Sequence, residues 1–247
     1  MNFDYIDRVL QLIKIIQVEE KENMEKCVEL LTNTILHKKS IYTFGASHAG
    51  ILSEEMYYRA GGLMMINPIF GREIMLDTSP ITITSKMERC VGYGTILASK
   101  VHFKEGDVLI IHSVSGRNPV SIEMAIAAKK QGVKIIGLTN LAYSKSVSSR
   151  HPSGKNLYKF CDIVLDNHGD IGDACVSIEG LDQKVAPTST VIGATILNSI
   201  VAATAQNLVK KGMRRPPIFY SANIDGGDEL NEKLYEEYKD SIHYDFI

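Results

Sequence analysis

The stretch IHSVSGRNPVSIEMAIAAKKQGVKIIGLTN, Ile111–Asn140, decides the fold. The apolar run Val108–His112 leads into a loop of small polar residues, Ser113–Asn118. Pro119 opens a helical run that extends to Lys130, and Gln131-Gly132 closes it. Val133–Leu138 is then β-branched and apolar without polar alternation, the mark of a strand covered on both faces. A strand, a crossover helix and a second strand in this order make a βαβ unit with parallel strands.

The same alternation continues on both sides. Upstream, Ser40–Phe44 reads as a short strand ending at Gly45, Ala49–Ala60 as a helix stopped by Gly61 and Gly62, and Leu63–Ile66 as another apolar run. Asn67–Ser85 is poorly periodic, and Lys86–His102 is partly helical. Downstream, 140–160 reads as a surface loop rich in Ser, Lys and His, and Ile163–Leu165 and Ala174–Ile178 as further strands. Thr188–Lys211 reads as a long buried helix and Asp228–Lys239 as a final amphipathic one. At the amino end, Ile6, Leu10, Ile13 and Ile16, then Met24, Val28, Leu31 and Ile35, recur at helical spacing, so 3–37 is expected to be helical. The fold class is therefore α/β: a doubly wound parallel sheet sandwiched by helices. We divide the chain into an N-terminal helical segment at 1–37, a central domain at 38–215, and a C-terminal loop and helix at 216–247 packed on that domain.

Length and composition fit one such domain. The chain has 247 residues, 45% hydrophobic and 23% charged, with a net charge of −2; this supports a sizeable core and gives no electrostatic footprint for nucleic acid. Cys27, Cys90, Cys161 and Cys175 are scattered without a C-x-x-C and read as isolated core thiols of a reducing, cytoplasmic compartment. Acids appear from the fourth residue on, without the order of a signal peptide. Thr188–Val209 is free of charges, yet its Thr, Ser, Asn and Gln content is heavy for lipid exposure, so no membrane association is expected.

Ligands of open parallel sheets bind beyond the carboxyl ends of the strands. Three such ends are rich in hydroxyls here: Gly45–Gly50 with Ser47 and His48, Ser113–Asn118 with Ser113, Ser115 and Asn118, and Pro187–Thr190 with Thr188, Ser189 and Thr190. Each reads either as ordinary helix capping or as part of a ligand site. Neither G-x-G-x-x-G nor a Walker loop is present, so a nucleotide is not expected. Hydroxyls, an amide side chain and first-turn N–H groups can satisfy a phosphate without a lysine or a metal.

These residues carry a resemblance. Ile111–Asn140 looks like the central motif of the sugar isomerase (SIS) domain family; FGASHAGILSEEMYYRAGGL at Phe44–Leu63 is similar to its opening loop, and APTST at Ala186–Thr190 to its third ligand loop. The likeness covers roughly 38–212, and the ends look like those of an uncharacterised group of single-SIS bacterial proteins. It implies a phosphosugar ligand, a homo-oligomer (dimer or tetramer), and a phosphosugar site at Ser47, Ser113, Ser115, Asn118, Thr188, Ser189 and Thr190.

Moving a carbonyl along a sugar needs a base for a carbon-bound proton. The resemblance to sedoheptulose 7-phosphate isomerases, which place a glutamate on the helix after the first loop, makes Glu55 the expected base and Glu54 its alternative, although the spacing from Ser47 differs. His48 would assist ring opening. Glu88-Arg89 reads either as a further acid with its partner or as a surface pair, His112 as a core histidine, and His168 as a loop candidate. No metal-ligand spacing occurs, and no cofactor or metal is expected. The resemblance leaves three activities open: aldose–ketose isomerisation, phosphosugar sensing without turnover, and lyase or etherase action on an amino-sugar phosphate.

Overall fold

The computed structural model describes residues 3–246. Its centre is a parallel sheet of five strands, β1 (Ile41–Gly45), β2 (Ile66–Pro68), β3 (Val108–His112), β4 (Lys134–Thr139) and β5 (Ile163–Asp166), in the order β2-β1-β3-β4-β5. The chain winds one way from β1 to β2 and the other way from β3 onward, so the topological switch point lies between β1 and β3.

The apolar strands supply two cores because successive side chains point to opposite faces. Ile41, Val108, Ile110, Ile136 and Leu138 face one core. There they meet Leu31 and Ile35 of α2 (Lys21–Leu36) and Ile192, Ile196 and Leu208 of α8 (Ser189–Lys210). Tyr42, Phe44, Leu109, Ile111 and Ile135 face the other core. Their partners are Leu97 of α5 (Tyr93–Ala98) and Val120, Met124 and Ala128 of α6 (Pro119–Lys130). Each such fully buried aliphatic side chain contributes about 1.5–3 kcal/mol. α6 keeps its expected bounds, with Pro119 in its first turn and lysines in its last.

The N-terminal helical stretch is two helices, α1 (Asp4–Glu19) and α2, broken at Glu20. The break has a tertiary cause: Glu20 is buried, and its carboxylate lies 3.0 Å from the His168 ring nitrogen Nε2, beyond β5. Tyr5 of α1 also donates a 2.9 Å hydrogen bond to the carbonyl of Pro187. Leu12 and Ile16 of α1, and Leu234 and Tyr238 of α9 (Gly227–Tyr238), belong to the same core as the sheet.

Other segments depart from the sequence reading. The helix expected at Ala49–Ala60 is a 3-10 turn, Ser47–Gly50, followed by α3, Ile51–Met56. Lys86–His102 holds the end of α4 (Thr82–Glu88) and then α5. Within 140–160 lies the short helix α7 (Leu141–Ser146). Ala174–Ile178 contributes no strand to the main sheet: β6 (Ala174–Val176) pairs antiparallel with β7 (Val185–Pro187) in a separate hairpin. α8 is long and apolar enough to cross a membrane, but Ile192, Ile196 and Ile200 pack into the core while Asn198 and Ser199 stay exposed. Cys27 is buried and Cys161 lies against Gly137 of β4, and burial pushes both thiols up to about 12. Cys90, expected in the core, is exposed at the end of α4.

Candidate functional site

The loops after β1 and β3 meet at the switch point and line a cleft of about 470 Å³. That volume is in the range of small-molecule sites. A larger cavity of about 600 Å³ lies between α5 and α6, near Ser99, Phe103 and Gln131. It has no strand-end loop in its lining, so the chemistry is assigned to the first cleft.

Loop geometry depends on two glycines. A Cβ at Gly45 would collide with the backbone carbonyl of Ala49, so only glycine lets β1 turn tightly into the 3-10 segment. Gly116 has φ +60, and a Cβ there would lie 2.9 Å from Ser144 Oγ. Ser47 also has a positive φ, +51. For a residue with a Cβ this conformation costs on the order of 1 kcal/mol, and it holds the hydroxyl over the cleft.

The loop after β3 is fastened by its carbonyls. Val114 O accepts from Asn140 N at 2.9 Å and from Thr139 Oγ1 at 2.9 Å; Gly116 O accepts from Leu157 N and Arg117 O from Arg150 N, both at 2.8 Å. The amides of Val114, Ser115, Gly116 and Arg117, in contrast, have no acceptor among the described residues. Neither do the hydroxyls of Ser113 and Ser115, which line the cleft. Of these, Ser113, Val114 and Ser115 line the cleft, so two N–H donors and two hydroxyls stand there without a protein acceptor, next to the amino end of α6. Unpaired N–H and hydroxyl donors beside a helix amino end suit an anion.

Glu88 stands opposite this loop at the end of α4. One oxygen accepts from Ser47 Oγ, and the other accepts from Asn118 Nδ2 at 2.6 Å. The cleft thereby brings together Ser47, His48, Ser113, Ser115 and Asn118, with Glu88 and Asp173 as its carboxylates. His48 is exposed at the rim. Glu88 was legible in the sequence only as an ambiguous pair with Arg89, since Ser47 and Asn118 reach it from 41 and 30 residues away.

Other expected site residues stand elsewhere. Glu54 is exposed, and Glu55 pairs with Arg59 one turn on and accepts from Asn198 Nδ2 of α8 at 3.1 Å. α3 thus carries both glutamates away from the cleft. Thr188, Ser189 and Thr190 do not line it either. The amides of Thr188 and Ser189 donate to Asp173 Oδ1 at 3.1 and 2.8 Å, and Ser189 Oγ donates to Asp173 Oδ2 at 2.6 Å. A carboxylate of the chain itself occupies the amino end of α8. His168 is tied to Glu20 and lies outside the cleft.

His112 ends β3 beneath the loop. Its Nδ1 donates to Ala49 O at 3.1 Å, because a carbonyl only accepts; Nε2 is left buried and without a partner among the described residues. Burial pushes its ionisation down to about 4. No group of three or more potential metal ligands occurs among the described residues.

Comparison with known proteins agrees with this fold. The SIS domain family pattern matches residues 4–140, which includes both N-terminal helices. A UPF0309 protein of Shouchella clausii is 53% identical over 97% of this chain and 97% of its own length. Another, of Oceanobacillus iheyensis, is 48% identical over 98% of each chain. Among solved structures, a phosphoheptose isomerase from Francisella tularensis superposes with a TM-score of 0.54 at 12% identity, covering 82% of this chain and 95% of that one, a likeness of fold.

Proposed function

Because the chain belongs to the SIS domain family, we propose that the cleft between the β1 and β3 loops binds a sugar phosphate and that Glu88 transfers a proton on it. The observation that carries the reading is the set of unpartnered donors lining the cleft, the amides of Val114 and Ser115 and the hydroxyls of Ser113 and Ser115. A phosphate has enough acceptor oxygens to use them all, and the amino end of α6 favours its charge.

The sugar then lies between the phosphate loop and α4, with Ser47, His48 and Glu88 along its path. Glu88 accepts hydrogen bonds from two neutral donors and no cation, so a ligand hydroxyl can replace either one. A carboxylate in that position removes the proton from the hydroxyl-bearing carbon beside a carbonyl and returns it to the former carbonyl carbon, while the hydroxyl proton passes to the former carbonyl oxygen, which is aldose–ketose isomerisation. In this reading His48, exposed at the rim, exchanges a proton with the ring oxygen. Glu55, bound to Arg59 and Asn198, takes no part within one chain.

The test is a thermal-shift screen of sugars with and without phosphate. A ligand at a hundred times its Kd stabilises the fold by about 2.7 kcal/mol. Stabilisation by phosphorylated sugars alone, reduced to about half in Ser115→Ala, is the expected result; equal stabilisation by unphosphorylated sugars refutes the phosphate assignment. Binding without turnover is the second reading, favoured by the full engagement of both Glu88 oxygens. Binding by the wild-type chain with no interconversion across a panel of aldose and ketose phosphates would establish it. The family reading also carries a dimer or tetramer, consistent with exposed Ile6, Leu10 and Val18 on α1. Light scattering that reports a monomer would remove that part.

A further inference from the structure

Three arginines stand at the outer rim of the phosphate loop: Arg89 directly after Glu88, Arg117 within the loop, and Arg150 in the segment that fastens it. None of them forms an ion pair among the described residues. Arg150 Nη1 donates to Asn118 Oδ1 at 2.9 Å, and Arg117 Nε donates to Ser148 O at 3.0 Å. The nearby carboxylate, Glu88, has both oxygens taken by neutral donors instead. Burial, and then the charges of Arg117 and Arg89, hold the Arg150 guanidinium below its usual range, so the three feel one another. Glu88 is the carboxylate that opposes them, so three positive charges share one counter-charge, and an anion from outside the chain would balance the excess.

We infer that this rim binds a second anionic group on the sugar phosphate, either a carboxylate or a second phosphate, while the first phosphate occupies the Ser113–Asn118 loop. The inference rests on the phosphosugar reading of the cleft and narrows its substrate class. The division of labour follows from the donors. Amides and hydroxyls inside the loop already suffice for one phosphate. The guanidinium groups are anchored to Asn118 and Ser148 on the loop's outer side, and their forked N–H groups match a planar carboxylate or a phosphate edge. A substrate with one anion would leave the excess positive charge in place.

Isothermal titration with four probes tests this: glucose 6-phosphate, fructose 6-phosphate, fructose 1,6-bisphosphate and 6-phosphogluconate. The expected result is that at least one doubly anionic probe binds about tenfold or more tighter than the monophosphates at low salt. Which probe gains distinguishes a phosphate from a carboxylate as the second group. In Arg89→Gln, and more so in Arg89→Gln/Arg117→Gln, that ratio should fall below about threefold. Equal affinity for mono- and dianionic probes overturns the inference while leaving the phosphosugar reading intact. A double variant that weakens all four probes by the same factor also overturns it, since the arginines would then serve the first phosphate. Absence of binding by every probe removes both readings together.

Discussion

The loops after β3 and before α8 read alike in sequence and end differently in the fold. Both place hydroxyls at the start of a helix, Ser113, Ser115 and Asn118 in one and Thr188, Ser189 and Thr190 in the other. In the first, four amides and two hydroxyls have no acceptor among the described residues. In the second, the carboxylate of Asp173 takes two amides and one hydroxyl at 2.6–3.1 Å. A helix amino end attracts an anion in either case. The difference is whether the chain supplies it: Asp173 does so at the amino end of α8 while also lining the cleft, and the β3 loop has no such anion.

The largest test of that contrast concerns the acid facing the open loop. Glu88→Gln should lower the proposed isomerisation about a hundredfold to ten-thousandfold, the usual contribution of a positioned acid–base group. Glu55→Gln, which breaks an i,i+4 surface pair, should stay within about threefold. Comparable losses in both variants would return Glu55 to the site.

Next comes the support under the open loop. His112 is neutral in the folded chain because burial pushes its ionisation from 6.5 to about 4. The unfolded chain therefore takes up the proton first as pH falls. The stability from this residue is complete above about pH 6.5 and is lost as pH drops toward about 4, by up to about 3 kcal/mol. Urea melts at about pH 7.5 and about pH 5 should show a steeper loss for the wild type than for His112→Asn. Parallel losses would contradict the assignment.

Smaller effects separate the loops directly. Ser115→Ala should weaken sugar phosphate binding about tenfold, the cost of one hydrogen bond to a charged group. Thr190→Ala should change it less than about twofold, because that hydroxyl lies outside the cleft. Asp173→Ala should cost about 1 kcal/mol of stability, as loss of a helix cap does. If phosphate binding instead disappears in Asp173→Ala with stability unchanged, the closed loop is part of the site after all.

Local signals were sufficient for much of this architecture. Pro119 and Gln131-Gly132 punctuate α6 at both ends, and β-branched runs mark β3 and β4 whatever surrounds them. Features set by distant partners were not legible. Helical periodicity runs straight through Glu19–Glu22, and only the buried contact of Glu20 with His168 divides it into two helices. Ala174–Val176 has a strand's composition, but the hairpin partner Val185–Pro187 decides where it pairs. The same limit applied to chemistry: the serines of the β3 loop follow from their own segment, whereas Glu88 gains its place only when Ser47 and Asn118 converge on it.

The uneven sheltering of the four cysteines makes the chain its own reporter. Cys27 is enclosed in the core, the glycine of β4 shields Cys161, and burial raises the Cys175 thiol, so all three should react slowly with alkylating reagents. Cys90 is open to solvent two residues beyond Glu88. One thiol should therefore label quickly under native conditions, and its labelling rate will register whatever enters or leaves the neighbouring cleft, with no dye or tag engineered into the protein.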